Sequence, residues 1–241
     1  MEFTPASSAS VLAFEALLST VGAMLLAAVY AASERLGGPA RRRTALAALL
    51  LGAWLAGCAL VVNSGVIAEH PMPALPVYLL VNNVAALALG LSPVGGWLAR
   101  GLPLGALVVL QAFRLPLELI LHDWARQGTI PVSMTFSGQN LDILSGLCAV
   151  VAAPLAGRSR VAAWIANGVG IVLLANVARV AVLSSPLPFA WEVTPRLRLA
   201  EHLPYAFIVP LAVSAALFGH VVLTRALLAS PRAPTRGVTL P

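Results

Sequence analysis

Long apolar stretches separated by short polar ones give this chain its pattern. Runs of about 20 apolar residues, the length that crosses a hydrocarbon core of about 30 Å, fall at 11–31, 44–67, 74–98, 102–122, 141–157, 161–183 and 203–226. They predict an all-α, polytopic transmembrane bundle of about seven helices over residues 1–227. A basic, Pro-rich tail, 228–241, follows and is expected to be disordered. The fifth run is the shortest. At roughly 17 residues it is at the low end of what spans, so it is expected to be little tilted or partly re-entrant. Two polar interruptions exceed a tight turn, DWARQGTIPVSMTFSGQN from Asp123 and SSPLPFAWEVTPRLRLAEH from Ser184. Their Pro, Gly, Ser and aromatic content predicts ordered caps over the helix ends. No internal repeat is visible, and an odd helix count argues against a duplicated transporter.

Basic residues divide unevenly between the interruptions. Arg35, Arg41, Arg42, Arg43, Arg100, Arg158, Arg160, Arg225, Arg232 and Arg236 fall on one side, and only Arg126, Arg196 and Arg198 on the other. By the positive-inside rule the first group is cytoplasmic, which places the N-terminus outside and the C-terminus inside. Trp124 and Trp191 near predicted outer ends, and Trp97 near an inner one, are expected to anchor at the interfaces.

Composition narrows the chemistry. With 59% hydrophobic and 10% charged residues, the chain is no ordinary soluble domain, whose charged share is about a quarter. All 15 basic residues are Arg and none is Lys, which excludes retinal or pyridoxal Schiff bases and any lysine nucleophile. The net charge of +6 comes largely from Arg in helix-orienting loops, so no nucleic-acid partner is implied. Cys58 and Cys148 lie in separate apolar runs and imply no disulfide framework. The first residues, MEFTPASSAS, lack the positive region of a cleaved signal peptide.

Against this background the stretch QAFRLPLELILH stands out. Gln111, Arg114, Glu118 and His122 follow one another at intervals of three, four and four, so a helix stacks them on one face. Ionisable groups at membrane depth mark functional sites by default. Counted along a helix running outward, His122 lies at the outer end, Glu118 about 6 Å deeper and Arg114 about 12 Å deeper. Asp142 opens the fifth run from the same side, Asn176 and Arg179 sit one turn apart in the sixth, His202 opens the seventh, and Glu15 and His70 lie near the same leaflet. Pro116 is expected to free the Ala112 carbonyl and kink the helix.

Several chemistries fit these residues. Arg114 with Glu118, and Asn176 with a neighbouring helix, would make a packed polar core that only holds the bundle together. Glu118, His122, Asp142 and His202 offer the oxygen and nitrogen ligands of a catalytic metal site. Cys148, about 9 Å along its helix from Asp142, would serve as a thiol nucleophile activated by Arg179, with His202 or His122 as general base. Cys58 has no ionisable neighbour in its run and reads as a small apolar side chain. His70 and His220 read as structural.

The order Cys148, ANVARVAVL with Asn176 and Arg179, then His202 resembles the exosortase and archaeosortase membrane transpeptidases over about the last 100 residues. That resemblance implies a Cys, an Arg and a His near the extracytoplasmic face that cleave and transfer sorted C-terminal tails. Over most of the chain, RLPLELIL, MTFSGQNLDILSG and LSSPLPF resemble a group of uncharacterised bacterial integral membrane proteins. It implies a multi-pass protein of the bacterial inner membrane. The combined expectation is a polar pocket open to the extracytoplasmic leaflet, lined by Gln111, Arg114, Glu118, His122, Asp142, Asn176 and Arg179. Its partners would be the lipid bilayer and an anionic, lipid-like or peptide-tail ligand; no cofactor is indicated.

Overall fold

In the computed structural model, residues 3–229 are described. The elements are α1 (Ser8–Arg35), α2 (Ala40–Asn63), the single turn α3 (Val66–Glu69), α4 (Pro71–Leu91), α5 (Pro93–Gly101), α6 (Leu104–Val109), α7 (Arg114–Arg126), α8 (Ile143–Leu155), α9 (Arg160–Ser184) and α10 (Ser214–Leu228). Among the described residues there is no strand. The tail predicted from 228 lies, but for its first two residues, outside the described part.

Serines punctuate the helices. Side chains of Ser7, Ser92 and Ser159 accept from backbone N–H groups in the first turns of α1, α5 and α9, satisfying donors that a helix start leaves without partners. Between α1 and α2 the chain turns through Gly37, whose φ of +69° suits glycine. Proline at position 93 separates α4 from α5, where a single run over 74–98 is expected. The Arg225 guanidinium donates to the Gly90 and Ser92 carbonyls at that break, at 2.7 and 2.6 Å.

Six helical segments are long and apolar enough to cross a membrane: Ser8–Arg35, Ala40–Asn63, Pro71–Leu91, Leu104–Arg126, Arg160–Ser184 and Tyr205–Leu228. The expected seventh, over 141–157, is corrected to the 13-residue α8. At 1.5 Å per residue α8 is about 20 Å long, short of the core thickness. Its first turn packs on the start of α7, where a Cβ on Gly146 would sit 2.3 Å from the Leu115 nitrogen. Its last turn lies beside the start of α6, with the Ala153 carbonyl 2.9 Å from such a Cβ on Gly105. Thus α8 runs antiparallel to α6 and α7 and covers only the half of the bundle away from the long loops. Residues 127–142 fill the rest. Ile130, Pro131, Met134, Thr135 and Asn140 of that loop are buried, and irregular backbone at such depth is tolerated when protein surrounds it.

The ends of the bundle are distinguishable. At one, the Ala6 N–H donates to the Tyr205 hydroxyl at 2.9 Å and Phe3 stacks on His202. At the other, Gly101 of α5 packs on Ala32 of α1, and Gly96 faces Arg225 of α10. The chain therefore enters α1 at the end bearing the long loops and leaves α10 at the opposite end. Trp124 is corrected from an interfacial anchor to a core residue. It is fully buried, with ring centroids 4.9 Å from both Phe14 and Tyr205.

Candidate functional site

Of the stripe expected at Gln111–His122, α7 carries Arg114, Glu118 and His122 at intervals of four, but not Gln111. Residues Leu110–Phe113 form a turn, and α7 begins at Arg114, which places Pro116 in the first helical turn, where a missing N–H costs nothing. The Ala112 carbonyl, expected to be freed, accepts from the Leu115 N–H at 3.1 Å. Gln111 consequently points away from the others, donating to the Ala216 carbonyl at 3.3 Å.

Arg114 is 1% exposed and organises a closed polar layer. Its Nε donates to Asp142 Oδ2 at 2.6 Å and its Nη2 to Asp142 Oδ1, a bidentate pair; Nη1 reaches the Gly170 carbonyl at 3.1 Å and His220 Nε2 at 2.9 Å. A guanidinium only donates, so His220 Nε2 must accept, and its Nδ1 then carries the proton donated to Asn167 Oδ1 at 2.9 Å. Asn167 Nδ2 donates onward to Thr224 Oγ1 at 2.7 Å, and that hydroxyl to the His220 carbonyl at 2.8 Å. Toward the long loops, Asn140 Nδ2 donates to Glu118 Oε1 at 2.8 Å and to the Met134 carbonyl at 3.1 Å, while its Oδ1 accepts from the Asp142 N–H at 3.1 Å.

Two glycines make room for His220 and for Gln111. A Cβ at Gly170 would lie 2.2 Å from His220 Cε1 and 3.1 Å from Ser145 Oγ, and one at Gly219 would lie 2.3 Å from Gln111 Nε2. Glu118 Oε2, Gln111 Oε1 and Ser145 Oγ are buried without a hydrogen-bond partner.

Of the residues expected to share one pocket, the structure joins Arg114, Glu118 and Asp142 and leaves the rest elsewhere. His122 is half-buried, stacked on Phe136 at 4.4 Å, with Nδ1 3.4 Å from Ser137 Oγ. Asn176 and Arg179 form a separate exposed cluster. Arg179 donates to Asn176 Oδ1 at 2.9 Å (Nη2) and 3.3 Å (Nε) and to Gln139 Oε1 at 3.4 Å, Asn176 donates to the Gln139 carbonyl at 2.7 Å, and the guanidinium lies 5.4 Å from the Trp191 ring centroid. Among the described residues no carboxylate forms an ion pair with Arg179. Glu15 is exposed on α1.

No hydrogen bond or ion pair among the described residues links Cys148, Arg179 and His202. Cys148 is half-buried on α8, whereas His202 stacks on Phe3 at 4.1 Å. The metal reading fares no better, since no three His, Cys, Asp or Glu side chains of the described residues come together to hold an ion. Cys58 departs from the apolar reading, because its thiol lies 3.6 Å from Asn82 Oδ1, which also accepts from Trp54 Nε1 at 3.2 Å. Outside the spanning segments, burial pushes the Glu201 carboxyl above its ordinary value against the pull of Arg198, and burial together with Arg198 lowers His202.

Asn140, Asn167 and His220 escape the search for a charged stripe. Depth counting carries a signal for two of them. Asn167 lies seven residues past Arg160 and His220 five before Arg225, comparable distances from the same end of the bundle. Asn140 is marked by its spacing to Asp142, the two-residue reach of an Asx turn. No family model matches the chain, and neither a curated protein nor a solved structure is similar to it.

Proposed function

We propose that this multi-pass membrane protein, seated in a bacterial inner membrane with its long loops extracytoplasmic, binds an anionic, lipid-like molecule or the acidic end of a peptide tail at Arg179. The resemblance of its MTFSGQNLDILSG and LSSPLPF stretches and the one-sided distribution of Arg support that placement. One observation carries the ligand reading. Arg179 is the exposed cation of the loop half of α9, oriented by Asn176, Gln139 and Trp191, and has no acidic partner among the described residues. Its Nη1 makes no hydrogen bond to described residues, so two N–H donors remain for a carboxylate or phosphate oxygen.

Arg114, by contrast, has its donors engaged by Asp142, Gly170 and His220. It positions the bundle and does not receive the ligand. The test is an organic extract of protein purified gently from its host membrane, analysed by mass spectrometry. Wild-type protein is expected to carry an anionic amphiphile or peptide that Arg179→Gln, at unchanged melting temperature, loses. Equal recovery from both, or an empty wild-type extract, would sink the reading.

A further inference from the structure

Where the Pro195 loop meets the N-terminal segment there is a second place for an anion, independent of Arg179. A cavity of about 150 Å³ lies between the N-terminal segment, the 127–142 loop and the segment Val193–Arg198. Arg196 and Arg198 line it together with Thr4, Thr129 and Thr194, and no lining residue is acidic. Of the two cations, Arg198 is matched at 3.5 Å by the largely buried Glu201 carboxylate, and Arg196 makes only a 3.4 Å contact to the Ser185 carbonyl. Net positive charge therefore remains at the cavity wall. Thr129 is 1% exposed, and its hydroxyl has no hydrogen-bond partner. A buried hydroxyl without a partner is costly, and is expected where a ligand or water completes it.

We infer that this cavity binds a phosphate group, with Arg196 and Arg198 as the charge partners and Thr129 as a hydroxyl donor. Guanidinium and hydroxyl donors outnumber what two carboxylate oxygens accept, and phosphate offers more acceptor positions in the geometry Arg prefers. Size limits the rest of the ligand. A cavity of about 150 Å³ holds a six-carbon ring, so a phosphate with a few further heavy atoms fits within it. Phe3 at the cavity wall also borders an open groove along Val11, Leu12, Leu203 and Pro204. That groove is mainly apolar, with Ser8, His202 and Tyr205 also on its wall, and gives an acyl chain a route to the phosphate, so the phosphate arrives either free or as a lipid headgroup.

The full chain in a maltoside detergent, which contains no phosphate, separates these sources by its melting temperature. Inorganic phosphate is one addition, phosphatidic acid another, and sodium chloride at equal ionic strength the control for screening. Stabilisation by phosphate marks a soluble source, and stabilisation by the lipid alone marks a headgroup. In either case Arg196→Gln is expected to weaken the effective ligand at least tenfold. Thr129→Val is expected to weaken it by about two- to tenfold, the worth of one hydrogen bond, while leaving the unliganded melting temperature equal or higher. The proposal is overturned if neither addition stabilises wild-type protein beyond the chloride control, or if both variants respond as wild type does.

Discussion

Arg114 and Arg179, two arginines of membrane-length helical segments, have opposite surroundings, the first buried and the second exposed. Arg114 is enclosed by acceptors from α8, α9 and α10, and its charge is matched by Asp142. Removing one member of a buried pair leaves the other uncompensated, at about 3–5 kcal/mol. Asp142→Ala is therefore expected to lower thermal stability in detergent by that order, and Arg114→Met with Asp142→Leu to cost less than Asp142→Ala alone. A single Asp142→Ala protein as stable as wild type would show that the pair contributes nothing. Gly170 is the second residue on which the layer depends. His220 cannot swing from a new methyl group without giving up Arg114 or Asn167, so Gly170→Ala is expected to cost about 1–3 kcal/mol, as overpacking does. Gly168, on the same helix with open space around it, provides the comparison, and Gly168→Ala is expected to leave the melting temperature unchanged or raised.

At the scale of elements, the apolar runs made most helices readable, because a membrane span needs length and composition more than tertiary context. Two of the departures have one cause. Residues 102–122 read as one helix and 141–157 as a full span, but the chain breaks at Leu110–Phe113 and starts α8 level with Arg114. Both departures bring Arg114 and Asp142 to the same depth, a condition set by partners far apart in sequence. Periodicity counts intervals within one segment and so reports nothing of it. It also grouped Gln111 with Arg114, Glu118 and His122 on one helix, although α7 begins only at Arg114, and passed over His220, whose partners sit on α7 and α9. The loop cap raises a separate question of pH. His202 has a folded-state value below its ordinary 6.5, so its contribution to stability is complete above 6.5 and is lost as pH falls from there through the lowered value. Glu201, raised above 4.5, acts in the opposite sense, with its contribution present below 4.5 and lost as pH rises through the raised value. Amide protection in Leu199–Tyr205 is accordingly expected to fall faster on acidification below 6.5 in wild type than in His202→Gln, since Glu201 and the intrinsic exchange rate are common to both. If the variant keeps the wild-type profile, His202 is not the titrating group.

Across the whole molecule, the apolar core is divided. One cluster gathers Phe14, Leu117, Trp124, Leu174 and Tyr205 toward the long loops, and another gathers Ala32, Leu107, Ala149, Ala163 and Val222 toward the opposite end. On two of its helices the Arg114 layer lies between them: Gly219 and His220 separate Ala216 from Val222 on α10, and Asn167 and Gly170 separate Ala166 from Leu174 on α9. Lipid-facing surfaces give helices no hydrophobic reason to associate, so a mid-depth layer of directional bonds fixes the register of α7, α8, α9 and α10. Because α8 completes only half a crossing, the direction of everything after it depends on the buried loop carrying the chain inward to Asp142. This arrangement predicts sidedness. In a chain with Cys58 and Cys148 replaced by Ser, single cysteines at Arg41, Gly157 and Phe189 report three exposed sites. An impermeant maleimide added to intact cells is expected to label Phe189→Cys at once, and Arg41→Cys and Gly157→Cys only after permeabilisation. Gly157 is the decisive position. If Gly157→Cys labels at once and Phe189→Cys only after permeabilisation, α8 returns to the face from which its loop entered, and α9 and α10 run opposite to the direction that places Arg179 in the extracytoplasmic leaflet.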